Sequence, residues 1–308
     1  MRKAPLALVL AIVAAATSTH GSGYYPVVRW VIEGDTQDFA SVGGSLPHPN
    51  PWDRAHQTLC GLANAKNLQG VIGTGDIIDT FGWFDRSRSP EAIAADYAYD
   101  ILDACGLVAV LPAGNHDFYG RFVGDPPPPN NSDRYLGFVS ARPRVSASSR
   151  SASGLSWVQP LVAHYRLLVL PYQADQVEEA WARATIAAKP NLQFFVLQHE
   201  AVDPAERPDL VAKTAAARLA AQFGPRRVPV VVGGHYKPTD KVTTFVTAAG
   251  VRALFVNFQT LDPRSGAPFW GYVVWLEYNT ATGRWCLFDE NVLTGERNRF
   301  EPTTCFTP

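Results

Sequence analysis

Five places in this 308-residue chain put a carboxylate, a carboxamide or an imidazole directly after a short run of β-rich apolar residues. Val27–Ile32 runs out into Gly34-Asp35-Thr36-Gln37, and Val71-Ile72 into Gly73-Thr74-Gly75-Asp76-Ile77-Ile78-Asp79. Leu107–Leu111 ends in Gly114-Asn115-His116-Asp117, Phe194–Leu197 in Gln198-His199-Glu200, and Val228–Val232 in Gly233-Gly234-His235-Tyr236-Lys237. In open α/β sheets ligands bind outside the carboxyl ends of strands, so groups placed there converge on one crevice. Oxygen and nitrogen donors without thiolates suit divalent Zn, Mn, Fe or similar metals. Taken singly, an Asp after a strand is usually a turn residue or a helix cap. The ordered set is what points to chemistry.

The elements that must position these groups alternate. Apolar β-type runs recur at Val27–Ile32, Gly70–Ile72, Leu107–Leu111, Tyr165–Leu170, Phe194–Leu197, Val228–Val232, Thr243–Val246, Ala253–Val256 and Tyr272–Leu276. Between several of them lie Ala-, Leu-, Glu- and Arg-rich stretches, Asn50–Lys66, Ser89–Cys105, Asp175–Ala188 and Pro208–Phe223, which predicts a sheet covered by helices. From Lys241 onward strands follow one another, with a hairpin signal at Asn279-Thr280-Ala281-Thr282-Gly283, so antiparallel pairing is expected there. The expected fold class is α/β, with one domain over residues 24–308 built on two packed sheets. Residues 120–154 hold Pro126–Pro129 and a Ser/Arg-rich run, and are expected to form a long loop without regular core structure, either a site rim or a plain surface connection.

Composition narrows the partners. With 27 Lys+Arg against 28 Asp+Glu and a formal charge of -1, little non-specific attraction to nucleic acid or anionic membrane is expected. Met1-Arg2-Lys3 followed by an uncharged apolar run from Ala4 to Ala16 and small polar residues has the layout of a secretory signal peptide, expected over residues 1–20. No later run is long enough to span a bilayer as a helix. The four cysteines fit an exported, secreted or periplasmic protein. They allow three pairings, of which position favours Cys60–Cys105 and Cys286–Cys305.

Together, the strand-end motifs resemble those of the calcineurin-like metallophosphoesterase superfamily, whose series runs D-x-H, G-D-x-x-D, G-N-H-D/E, a His after a strand, and G-H-x-H. The match covers nearly the whole mature chain, and Asp175–Trp181 with Asn257-Phe258-Gln259 look like a branch of secreted bacterial members. The resemblance implies a two-sheet β-sandwich flanked by helices, an αββα arrangement, with a dinuclear centre at the strand ends. On matching positions it implies that Asp76 bridges two metals and that Asn115, His199 and His235 complete the second. His116 would be the general acid, oriented by Asp79.

Two ligands depart from that pattern. Asp35 and Asp76 stand where the first metal needs them, but Gln37 and Lys237 replace its two histidines. A Gln carbonyl still ligates, whereas a protonated Lys does not, so a weakened first site is expected, with one or two divalent ions per chain. Lys237 is expected to contact a substrate phosphoryl oxygen instead. Thr80, where the protein Ser/Thr phosphatase branch has Arg, argues against that branch. Phe81, Trp83 and Phe84 are candidate pocket walls. The expected activity is hydrolysis of a small phosphate mono- or diester by metal-bound hydroxide, with His116 protonating the leaving group. The rival expectation is a phosphoesterase-like protein that binds a phosphorylated or carbohydrate ligand without turning it over.

Overall fold

A computed structural model describes residues 26–79, 89–118, 131–140, 150–204, 209–236, 241–258 and 268–308. The signal segment, Thr80 with Phe81, Trp83 and Phe84, the prolines 126–129, Lys237 and Gln259 lie outside the described residues.

The chain runs β1 (Val27–Asp35), α1 (Gln37–Gly43), α2 (Pro51–Leu62), β2 (Leu68–Gly75), α3 (Pro90–Cys105), β3 (Val108–Val110), α4 (Asn115–Phe118) and α5 (Asn131–Ser140). It continues through β4 (Trp157–Val162), β5 (Tyr165–Leu170), α6 (Gln176–Ala187), β6 (Gln193–Gln198), β7 (Val202–Asp203), β8 (Asp209–Leu210), α7 (Ala215–Phe223) and β9 (Val230–Gly233). The last strands are β10 (Val242–Val246), β11 (Arg252–Val256), β12 (Tyr272–Asn279), β13 (Arg284–Asn291) and β14 (Thr304–Phe306). Two six-stranded sheets result, ordered β14-β13-β12-β1-β2-β3 and β10-β11-β9-β6-β5-β4. In each, the strands carrying the candidate ligands run parallel, and the C-terminal strands close antiparallel as expected. No helix of the described residues is long and apolar enough to cross a membrane.

Strand alternation explains the layering. In β6, Phe195 and Leu197 join the core between the sheets, while Phe194 and Val196 pack under α6 and α7 with Ala182, Ile186 and Leu219. On the opposite sheet Trp52, Leu59, Tyr99 and Leu102 of α2 and α3 supply the other outer layer. The result is helices, sheet, sheet, helices. Local chemistry starts the helices: Asn50 and Asp53 form a reciprocal capping box before α2, Ser89 caps α3 ahead of Pro90, and Asp175 caps α6. Both favoured disulfides form; Cys60–Cys105 ties the end of α2 to that of α3, and Cys286–Cys305 joins residues paired across β13 and β14.

Two expectations change. The segment 120–154 contains α5, whose Tyr135, Phe138 and Val139 are buried in the central core. Their i, i+3, i+4 spacing is an amphipathic signal that the Pro- and Ser-rich flanks obscured. The predicted helix from Pro208 starts only at Ala215, because Thr214 supplies the cap and Asp209-Leu210 pair as a strand. A short helix, α1, begins at Gln37 directly after β1.

Candidate metal centre

Because Gln198 faces α7, accepting the Ala216 N–H at 2.9 Å, the next residue, His199, is turned inward toward the other sheet. There it meets Asp76, which follows β2: His199 Nε2 lies 3.0 Å from Asp76 Oδ2. Asn115 Oδ1 is 3.1 Å from the same nitrogen, and so is His235 Nδ1. Asp76, His199 and His235 thus offer ligand atoms all within 4.8 Å of one another. Two sheets and three strand ends are needed to assemble them. The approach is close enough that a Cβ on Gly75 would stand 2.6 Å from His199 Nδ1, and one on Gly114 2.1 Å from Asp76 Oδ1. Only glycine permits it. Asp76 and His235 are themselves held at φ 48° and 75°, a backbone region that non-glycine residues enter where the surroundings over-determine it.

Proton counting shows what this cluster lacks. His199 Nδ1 faces the Thr74 carbonyl at 2.9 Å and must donate to it. With that nitrogen protonated, Nε2, Asp76 Oδ2 and Asn115 Oδ1 meet lone pair to lone pair unless a second proton or a cation stands among them. Burial pushes Asp76 up, but the charge and hydrogen bond of His199 outweigh it and hold the carboxyl below its usual range. Burial likewise lowers His199, but Asp76 raises it on balance. His235 is pushed down to about 4 by burial and by His199. A buried carboxylate, a carboxamide oxygen and two imidazoles form a donor set that fits Zn, Mn or Fe.

The Asp35 and Gln37 side is different. Asp35 is fully buried with no close hydrogen-bond donor on either carboxylate oxygen, the Gln37 main-chain N–H being only a distant one, and Gln37 Oε1 is buried without a partner. Asp35 pairs with Gly75 across β1 and β2, which places it beside Asp76. Burial, then the charges of Asp76 and Asp117, push its carboxyl well above the usual range. All its potential donors are oxygens.

His116, between the two motifs, has Nδ1 at 2.8 Å from the Asp79 main-chain carbonyl and at 3.4 Å from the Asp79 carboxylate. Its closest orienting group is therefore the carbonyl, with the carboxylate behind it. Burial, then Asp76, raises Asp117 to about 7, against the pull of the Gly114, Ile78 and Ile77 N–H groups. Tyr172 is a residue the motifs did not indicate: its ring lies 5.9 Å from that of His199 and 5.5 Å from that of His235. The signal was its place just beyond the end of β5, the same strand-end position as the others.

No family profile and no curated protein matches this chain. Solved structures do. A dimetal phosphatase from Danio rerio superposes with a TM-score of 0.58 at 14% identity, covering 92% of this chain and 99% of that one. Purple acid phosphatase PPD1 from yellow lupin (Lupinus luteus) seeds superposes with a TM-score of 0.55 at 12% identity, over 91% of this chain and 54% of that one. Both neighbours share the two-sheet architecture, and this chain has the fold of the calcineurin-like metallophosphoesterases.

Proposed function

We propose that this protein is an exported, metal-dependent hydrolase of small phosphate mono- or diesters. The observation that carries the reading is the convergence of Asp76, Asn115, His199 and His235 within hydrogen-bonding distance, with His116 next to Asn115. A divalent ion held there would supply a nucleophile from water near neutral pH and neutralise phosphoryl oxygens. His116 donates Nδ1–H to the Asp79 carbonyl, so its Nε2 delivers the proton to the departing alkoxide. The Thr74 carbonyl fixes the His199 tautomer, which would leave Nε2 unprotonated and able to hold the ion. Tyr172 walls the imidazole pair and limits access of water from that side.

The oxygen-only set of Asp35, Gln37 and Asp76 would hold a second ion more weakly, because it lacks the imidazoles that suit Zn. Lys237 contacts a phosphoryl oxygen of the substrate as a point charge. Export is supported by the two disulfides.

The test is metal analysis of the purified protein together with turnover of an aryl phosphate and an aryl phosphodiester. One tightly bound ion per chain and metal-dependent turnover of either ester are expected. His116→Ala should keep the metal and slow esters with poor leaving groups by roughly 10²–10⁴-fold, and Lys237→Ala should weaken substrate binding with the ion retained. A metal-loaded protein that hydrolyses neither ester is a binding protein, and the proposal fails.

A further inference from the structure

The loop after β2 carries Asp76, the loop that runs into α4 delivers Asn115 39 positions later, and each side lends a carboxylate to the other's backbone. Asp76 Oδ1 accepts the His116 N–H at 2.9 Å. In the opposite direction Asp117 Oδ1 accepts the Ile77 N–H at 2.8 Å and the Ile78 N–H at 3.2 Å. Its other oxygen, Oδ2, turns back to the Gly114 N–H at 2.9 Å. Asp117 is fully buried.

We infer that Asp117 is a positioning residue that holds Asp76 and Asn115 where both meet His199 Nε2, acting through the backbone of both loops and not as a ligand. The inference rests on the proposed metal centre and names what keeps it assembled. The reciprocal bonding has a directional consequence. With Oδ1 of Asp76 occupied by the His116 N–H, Oδ2 is the oxygen left to face His199 and the ion. Losing the clamp frees the strained Asp76 turn, at φ 48°, to relax away from the ligand geometry.

Carboxylate chemistry is essential to this task. A carboxylate presents acceptors on both oxygens; a carboxamide has one acceptor and one donor. In Asp117→Asn the amide oxygen serves either Ile77 and Ile78 or Gly114, and the NH2 group is set against an N–H on the other side. One loop is always released.

The molecule contains its own control. Asp289 is also fully buried and also accepts three main-chain N–H bonds, from Arg299 at 2.8 Å, Phe300 at 3.2 Å and Glu301 at 2.9 Å. All three come from one segment that carries no candidate ligand. A purely structural role predicts the same consequences for both aspartates.

The experiment compares Zn2+ affinity, the visible spectrum of the Co2+-substituted protein and the melting temperature in wild type, Asp117→Asn and Asp289→Asn. Both variants should melt lower. Only Asp117→Asn should weaken Zn2+ binding, by roughly the 10–100-fold seen when groups that orient ligands are lost, and only it should alter the Co2+ spectrum. Equal Zn2+ affinity in wild type and Asp117→Asn overturns the inference and leaves the proposed function standing; a wild type that binds no Zn2+ overturns both. If Asp117→Asn does not fold, Asp117→Glu, which keeps both oxygens on a longer side chain, is measured against the same wild type. Unchanged affinity and spectrum in that folded variant also overturn the clamp.

Discussion

Glu33 and Asp35 are two residues apart on β1, both are acidic, and both are almost completely removed from solvent. Their surroundings are opposite. Glu33 accepts from Trp52 Nε1 at 3.3 Å, from His56 Nε2 at 2.6 Å and from the Tyr99 hydroxyl at 3.2 Å. His56 in turn has its Nδ1 at 2.6 Å from the Ala98 carbonyl, so both ring nitrogens face acceptors and the ring is held as imidazolium. Asp35 has no close donor on either oxygen, only the more distant Gln37 main-chain N–H, whereas other buried acids with an unpartnered oxygen, such as Asp53 and Glu178, each have only one. The ladder between β1 and β2 is irregular from Ile32 to Asp35, which breaks the strand alternation between the two acids and re-aims the second. Burial alone therefore does not mark a functional carboxylate. One that serves folding has its lone pairs filled by close donors; one without a close donor on either oxygen marks a place where function outweighs stability.

Three experiments break or sharpen that contrast. The largest effect is expected from Glu33→Gln, which strips the charge from a buried pair and leaves His56 facing neutral partners. Breaking such a pair costs about 3–5 kcal/mol, to be read from urea unfolding at neutral pH. A loss no larger than that of an exposed substitution would show that the Trp52-His56-Tyr99 network does not depend on the charge.

Asp35→Asn should act with the opposite sign. Replacing a carboxyl that burial, then the charges of Asp76 and Asp117, penalise in its ionised form should stabilise the metal-free protein at neutral pH by roughly 0.5–2 kcal/mol, the scale of single stabilising substitutions. The same substitution should abolish uptake of any second equivalent of Mn2+, followed by metal analysis. If metal-free Asp35→Asn is less stable than wild type, Asp35 is a structural residue and the contrast with Glu33 disappears.

The smallest effect is a pH dependence. Burial lowers the His56 imidazole, but the charge and hydrogen bond of Glu33 outweigh it and raise its pKa above the ordinary 6.5. A folded-state pKa raised above the unfolded one contributes stability that is complete below about 6.5 and is lost as pH rises through the raised value. The stability gap between wild type and Glu33→Gln should therefore narrow as the pH is raised from 6 toward 9. A gap that stays constant would mean that His56 is neutral throughout.

Much of this was legible before any coordinates. The five strand ends appear where the apolar runs stop, because alternation and turn chemistry are local properties. Asn50-Pro51 and Ser89-Pro90 announced their helices for the same reason, and the cysteines at matched ends of α2 and α3 found each other. Where local signals competed, reading failed. The buried face of α5 was hidden between proline- and serine-rich flanks, and Thr214, not Pro208, marked the start of α7. Asp79 shows a subtler limit: the side chain drew the attention, yet its main-chain carbonyl is the closer partner of His116, and backbone groups carry no sequence signature.

The sequence by itself determined which donors exist and that each stands at a strand terminus, since side-chain chemistry and periodicities of two and 3.6 residues are written along the chain. Only the tertiary structure decided which of them meet. Asp76 and His199 come from different sheets and are 123 positions apart, and their 3.0 Å separation depends on how the two sheets pack. That distance follows from the filling of the core between them, where Phe195, Leu197, Val232 and Val256 on one sheet face Ile32 and Val274 on the other. Whether a buried oxygen is bonded or bare is decided in the same way, by neighbours that the chain brings in from far along its length.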